Sequence, residues 1–527
     1  MNPEKNRPGF EELQRYIPFA IIGFLLVLGI IFPALSLCFL FGLGILFLYI
    51  FRPKAKMHLI PLKNGSFFQR VLILLVAIGT ILLCVAPMDQ FPLWNGEQPG
   101  HRNQYELMAE ALLEGRLDFA YGDEHTLEGL ENPYDPNERK EAGVYYHWDH
   151  AYYNGKYYMY FGIVPVLLAF LPYRVLTGAP LPTYQGTQLF AAVAIAGIFV
   201  LFRLLSKLFF RKLPISVYLA LSAAFSIMSI WYSSAEPALY CTAITAAIAL
   251  QVWSLYFFVR AVWGDDPENR KFLLAGIGAL LGALVFGCRP PIALANILVL
   301  PMLYVFLRQR KFTPSLFGKL FLAALPYAVV AIALMLYNYA RFDDPFQFGQ
   351  AYQLTVADQS HYKFNLSAST LLQILNNTPV NLFGLANITA VFPYLKHGGV
   401  YVNFPILLLT ATAFKTSVWE DLRKKNLLPL LIGLLVSMVI ITALDIMWTP
   451  YLLERYRMDI YFLAGIACFI SVGLWLHHSA EEHRGRICTI LMVLSVITIV
   501  SSFLFCMRTA SVYYPDRVKE IGNMLPF

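Results

Sequence analysis

Apolar runs long enough to cross a bilayer recur along this chain of 527 residues, and no other property limits its folding as severely. A helix needs about 20 residues to cross the ~30 Å hydrocarbon layer. The runs begin near Tyr16, Ala34, Val71, Gln188, Ile215, Ala238, Phe272, Pro291, Leu320, Tyr401, Leu427, Ile460 and Ile487. Each is expected to be helical, because hydrocarbon offers an unpaired backbone amide no partner. With 58% hydrophobic and 14% charged residues, the chain is excluded from the ordinary soluble class. The reading is an all-α polytopic membrane protein of about 13 transmembrane helices, an N-terminal hairpin split by Pro33 preceding an 11-span core.

One apolar segment breaks the pattern. Residues 161–176 (containing IVPVLLAFLPYRVL) are too short to span, hold Pro165 and Pro172, and end beside Arg174. Segments of that length are more often re-entrant or interfacial. If this one does not cross, the basic stretches at residues 52–70, 203–212, 308–311, 423–425 and 484–486 all fall on one face, as the positive-inside bias requires. The expected topology follows: N-terminus cytoplasmic, C-terminus extracytoplasmic, plasma membrane, with large outer loops at 89–187 and 339–400. Residues 1–70 form the N-terminal segment and hairpin, 71–507 the membrane domain and 508–527 an outer tail. The formal charge of +7 resides in the cytoplasmic loops and reports orientation, so no nucleic-acid partner is implied. The seven cysteines lie in or beside apolar runs, and neither a disulfide framework nor a thiolate metal site is expected.

Water-facing chemistry must therefore sit in the few segments that leave the bilayer. Residues 89–160 carry fourteen acidic groups against five basic ones and contain the densest polar and aromatic cluster, HWDHAYYNGKYYMYFG. Residues 103–115 show helical periodicity with Tyr105, Met108 and Leu112 on one side and Gly115 as a stop, which predicts an interfacial helix. The Asn154-Gly155 pair between tyrosine-rich flanks predicts a β-hairpin. Tyrosines beside carboxylates suit carbohydrate, with Tyr153, Tyr157 and Lys156 as candidate sugar contacts, although aromatic belts gather at membrane interfaces anyway. A base at the outer surface needs a carboxylate within hydrogen-bond reach of an acceptor hydroxyl. Glu97, Glu106, Glu110, Asp118 and Asp149 all qualify, with Asp149 and Glu106 preferred. No cofactor is assigned. His147 and His150 flank Asp149 without helical zinc spacing or a thiolate, so a divalent metal stays only an open alternative.

Three arginines stand at predicted outer ends of spans, against the orientation bias. Arg289 lies in GCRPP, and Arg455 and Arg457 in LLERYRMD. A guanidinium fork there fits a lipid-linked phosphate, and pairing with Glu454, Asp459 or Asp445 is the structural alternative. Arg102 and Glu236 are further outer charges that fit the same cavity.

These elements resemble the GT-C superfamily of integral membrane glycosyltransferases. Within it the likeness is to the bacterial, family-39-like group related to protein O-mannosyltransferases and aminoarabinose transferases. It is carried by NQYELMAEALLEGRLDF, YYNGKYYMYFGIVPVLLAFLP, NYARFDDPFQFGQAYQL, GGVYVNFPILLL and ERYRMDIYFL, and it covers residues 71 to about 507. The resemblance implies an enzyme that moves a sugar from a polyprenyl-phosphate carrier to an acceptor hydroxyl at the outer face of the cell envelope, with inversion. It also implies an acid of the first outer loop as base and arginines around the carrier phosphate. Lipid-linked donor, membrane lipid and an unidentified acceptor are the expected partners. One departure stands out. The group commonly places an Asp-Glu pair just ahead of the tyrosine that opens the interfacial helix, whereas His101, Arg102, Asn103 and Gln104 precede Tyr105 here. Either the base has moved to Glu97, Glu106 or Asp149, or the activity is altered or absent.

Two rival classes share some of these features. A polysaccharide polymerase or ligase using lipid-diphosphate sugars shares the loop and the arginines. A transporter or flippase is disfavoured by the absence of a convincing repeat and by polar groups that cluster outside the midplane.

Overall fold

A computed structural model describes residues 56–63, 65–89, 103–308, 310–361, 366–448 and 453–524, with five positions between 17 and 24. The runs near Tyr16 and Ala34 lie outside the described residues. Among the described residues, ten helices are long and apolar enough to cross a bilayer: Phe67–Met88, Thr183–Phe209, Ile215–Ala235, Leu239–Trp263, Glu268–Phe286, Pro290–Leu307, Pro314–Phe342, Leu428–Trp448, Glu454–His478 and Glu481–Val512. They account for ten of the eleven runs from Val71 onward. The chain is a multi-pass, predominantly α-helical membrane protein.

Burial sorts these helices into centre and rim. Nearly every residue of Ile215–Ala235 and most of those of Glu454–His478 are buried, whereas Pro314–Phe342 buries only a few, near its ends and at Val330, and presents most of its apolar side chains outward. Outward apolar faces are what a lipid-exposed helix requires. Local chemistry sets the starts: Ser66 accepts from the Gln69 N–H ahead of the first helix, and Thr313 accepts from the Leu316 N–H before Pro314.

The exception is the run near Tyr401. Val400–Asn403 forms one α turn, after which Pro405–Phe414 winds as a 3-10 helix and Thr416–Lys424 as a short α-helix. Here the expectation of another long α span is corrected, because Pro405 returns no N–H at the point where the helix would continue. The segment nevertheless runs parallel to Glu454–His478. His397 lies 3.5 Å from Glu454, Asn403 donates to the Tyr461 hydroxyl at 3.2 Å, the Cys468 thiol reaches the Ile406 carbonyl at 3.3 Å, and Asp421 meets His478 at 3.0 Å. A 3-10 helix rises about 2.0 Å per residue, so these turns reach further than α turns of equal length.

The segment predicted not to cross enters and leaves at the same end of the bundle. It begins with the Val164 N–H on the Gly287 carbonyl at 2.9 Å. Within Val166–Phe170 the turn widens, and the Leu171 N–H reaches back to the Val166 carbonyl. Pro172 has no N–H for the preceding turn, which favours such widening. Leu171–Thr177 then lies beside the predicted interfacial helix, observed as Gln104–Leu113, where the Phe170 ring stacks on Tyr105 at 5.3 Å.

The two ends of the bundle differ. One carries short, lysine- and arginine-rich connections: Lys425 donates to the Phe209 carbonyl at 3.0 Å and Trp263 to the Lys425 carbonyl at 3.2 Å. The other carries both long loops, which fold into a single cap. Strands β2 (His150–Tyr153) and β3 (Lys156–Met159) form the expected hairpin, with Asn154 and Gly155 at φ 48° and 70° in the tight turn. A short β1 (Asp118–Phe119) completes the order β1-β3-β2. The second loop then adds itself to β2: the Asp149 N–H donates to the Leu354 carbonyl, and the Leu354 N–H to the His150 carbonyl, both at 2.9 Å. Arg139 ties Pro133 to Thr355 through two 2.7 Å bonds, and Arg341 donates to the Met159 carbonyl at 2.7 Å. Both loops are therefore hydrogen-bonded into one unit, an arrangement that the sequence did not foreshadow.

Candidate functional site

Under this cap lies a cluster of charge and phenol drawn from five distant segments. Asp149 is its carboxylate. It sits between Trp148 and β2 with φ 55°, a conformation sparsely used outside glycine, and its residue is 3% exposed. The Tyr240 phenol donates to one carboxylate oxygen and Gln353 to the other at 2.9 Å. Burial holds the Asp149 carboxyl above its ordinary value, opposed by the Gln353 hydrogen bond and by the Arg455 charge.

Arg455 supplies the cation nearest that carboxylate. Its guanidinium lies 4.0 Å from the Tyr240 ring centroid and 5.6 Å from that of Tyr456. Among the described residues it makes no hydrogen bond and no ion pair. Stacking on aromatic faces satisfies the flat side of a guanidinium and leaves its N–H edge for a ligand. Glu236 caps the end of Ile215–Ala235, accepts from Tyr232 at 3.2 Å and lies within electrostatic range of Arg455.

Arg289 is the second cation. Gly287, Cys288 and the Pro290-Pro291 pair interrupt the helices on either side, which turns Arg289 into the bundle. Its Nε donates to both oxygens of Asp459 at 2.8 Å, and its guanidinium lies 5.2 Å from the Tyr456 ring. Among the described residues these are its only hydrogen bonds, so both Nη groups are uncommitted. Tyr160 stands between the parts. Burial pushes its phenol up, Tyr456 and Asp149 push further, and Arg289 and Arg455 pull it down. One ring therefore feels the carboxylate and both arginines. Chemically, the arrangement offers a carboxylate next to a guanidinium that forms no ion pair among the described residues and a second guanidinium only half engaged. It suits an anion held beside a group that loses a proton.

Other candidates from the sequence fall elsewhere. Arg457 pairs with Glu454 and faces His397, whose ring stacks on Trp231 at 5.4 Å. Burial, then the Arg457 and Arg508 charges, push the His397 imidazole down to about 3. Glu106 accepts from the Thr183 N–H at 2.7 Å and hydroxyl at 2.8 Å, which caps the helix Thr183–Phe209. Lys156 pairs with Asp118 at 3.6 Å, and Tyr153 donates to Asp343 at 3.3 Å. Tyr157 is fully buried against His147 and Tyr152, as part of the fabric of the cap. Glu97 and Arg102 lie outside the described residues. His147 faces Asp123 at 3.0 Å and His150 faces Tyr121 at 2.8 Å, so each ring is engaged within the cap. No group of three or more metal-ligating side chains occurs among the described residues.

Sequence reasoning had Tyr160 only as part of the aromatic run and missed Tyr240, Tyr456 and Gln353 as members of the cluster. Tyr456 carried a faint signal, standing between the two arginines of ERYRMD, and Gln353 carried none. No family model matches the chain, and no curated protein or solved structure matches it.

Proposed function

We propose that the chain is a membrane glycosyltransferase of GT-C type. It moves a sugar from a polyprenyl-phosphate carrier to an acceptor hydroxyl at the loop end, which faces away from the cytoplasm at the plasma membrane. The membrane domain crosses eleven times after residue 66, the 3-10 segment Pro405–Phe414 included, and the N-terminus is cytoplasmic. One observation carries the reading: Arg455, stacked on Tyr240 and without an ion-pair partner among the described residues, stands beside the buried carboxylate that Tyr240 itself holds.

In this reading the carrier phosphate lies between Arg455 and the Nη groups of Arg289. Asp149 takes the proton of the acceptor hydroxyl as its oxygen bonds to the anomeric carbon. The bond from that carbon to the phosphate oxygen breaks, and its electron pair leaves on the phosphate, where the arginines stabilise the added charge. Attack opposite the leaving group inverts the anomeric centre. A carboxylate has about four acceptor positions, and Trp148 and Thr355 bond to Asp149 beside Tyr240 and Gln353, so the acceptor hydroxyl displaces one of these donors as it delivers its proton.

The test is transfer of labelled sugar from lipid carrier by the full chain in proteoliposomes. Asp149→Asn is expected to lower the rate by about 10²–10⁴-fold, the usual contribution of a positioned base. Arg455→Ala is expected to lower it with little loss of folded protein. Wild-type rates in both variants overturn the reading. Transfer only from lipid-diphosphate donors redirects it to a polysaccharide ligase.

A further inference from the structure

The opposite end of the bundle holds a cleft that plays no part in this chemistry. It lies where the start of Pro314–Phe342 meets the start of Glu268–Phe286, with a volume of about 210 Å³. Pockets that enclose a drug-sized ligand measure about 300–1,000 Å³. This one is sized for a headgroup.

Its lining is cationic. Arg310, Lys311 and Lys319 face it with Glu268 as the sole carboxylate, and Thr313 and Ser315 add hydroxyls. Arg310 spends its fork on Glu268, at 3.1 and 3.0 Å, while Lys319 reaches only the neutral Asn269 amide at 3.0 Å. Lys311 forms no ion pair among the described residues. Neither ammonium group forms an ion pair among the described residues, although Lys319 lies within electrostatic range of Glu268 and 5.6 Å from the Phe272 ring, so three cations share one carboxylate in the cleft. The surroundings identify the setting of the cleft. Phe312 and Phe317, 78% and 71% exposed, project beside the cleft, and most of the helix that follows faces outward. Exposed apolar rings at the start of an outward-facing apolar helix, next to Arg310, Lys311 and Lys319, mark the boundary where hydrocarbon gives way to headgroups. A basic pocket between spanning helices at that level suits anionic phospholipid.

We propose that this cleft binds the phosphate-bearing headgroup of an anionic phospholipid from the leaflet at the basic end. Lys311 and Lys319 hold the phosphate, the Thr313 and Ser315 hydroxyls donate to its oxygens, and the acyl chains lie along the outward face of Pro314–Phe342.

Native mass spectrometry of the full chain in detergent, titrated with phosphatidylglycerol and with phosphatidylcholine, tests this. The wild type is expected to retain phosphatidylglycerol preferentially. The double variant Lys311→Gln/Lys319→Gln is expected to lose about 30-fold in that affinity, from two surface cations removed. Lys207→Gln/Lys424→Gln, which removes equal charge at the same end, is expected to lose at most a tenth as much. A phosphatidylglycerol carrying a photoreactive headgroup is expected to label residues 310–319 of the unaltered protein, a readout independent of variant folding. The proposal is overturned by equal losses in both variants, by no preference in the wild type, or by labelling elsewhere. Displacement by millimolar inorganic phosphate also overturns it, because a free anion would then be the ligand.

Discussion

At the basic end, part of the charge is paired locally and in water. Lys424 meets Glu420 one helical turn away, with side chains 71% and 58% exposed. At the loop end, Arg289 meets Asp459 across 170 residues of sequence, with side chains 13% and 0% exposed. The first kind of pair is worth little, because solvent screens it and two long side chains must be immobilised. The second cannot lose one partner cheaply, because an uncompensated charge is left in a dry place. The loop end thus holds an ion pair far drier than the exposed pair at the basic end.

The largest expected effect follows from that contrast. Arg289→Ala strands Asp459 and its neighbour Asp445, both buried, and is expected to cost about 3–5 kcal/mol. Unfolding in detergent measures it. Adding Asp459→Asn is expected to recover stability without recovering transfer, and a stable single variant would remove the distinction between the two ends.

Gly162→Ala comes next. A Cβ there would run into the Gly287 backbone, where the cap closes onto the bundle. A loss of about 1–3 kcal/mol is expected, the range for overpacking. The same unfolding assay reads it, and a change that leaves stability untouched would mean that the junction is loose.

Tyr240→Phe probes the carboxylate itself. A hydrogen bond to the ionised form lowers a carboxyl pKa, so its loss moves the already raised Asp149 value further up. The base works only when ionised. Transfer is therefore expected to fail on acidification at a higher pH than in the wild type, with the alkaline plateau down by about tenfold, the equivalent of about 1.4 kcal/mol. An acid limb that stays in place would detach Tyr240 from the base. The linkage to stability has the opposite sense: a raised folded-state value means that the fold prefers the protonated carboxyl, so ionising Asp149 costs stability as pH rises through its ordinary range.

The smallest effect closes the series. Lys424→Ala at the basic end is expected to change stability by no more than about 0.5 kcal/mol. A larger loss would show that this end, too, depends on its charges.

The spans after Val71, the interfacial helix at Gln104–Leu113 and the Asn154-Gly155 hairpin were legible because each is specified within its own window. Apolar length, a period of 3.6 and a left-handed dipeptide act over a few residues and need no distant partner. The Tyr401 run shows where such reasoning fails: apolar length was present, but Pro405 and the packing beside Glu454–His478 chose a tighter winding. Which acid meets which arginine was not legible. Five carboxylates in the first loop were equivalent by composition, and Glu106 turned to the Thr183 backbone while Asp149 turned to Tyr240 and Gln353. Arg455 and Arg457, two residues apart, went to different neighbours.

The sequence by itself determined that this chain lives in a membrane, where its helices lie and which turns link them, because transfer free energy and turn geometry are local properties. Only the tertiary structure decided that Asp149, Arg289 and Arg455 share one cap-covered site. Buried charges choose partners by the shape of the space they are forced into, and that shape exists only once the loops have closed over the bundle.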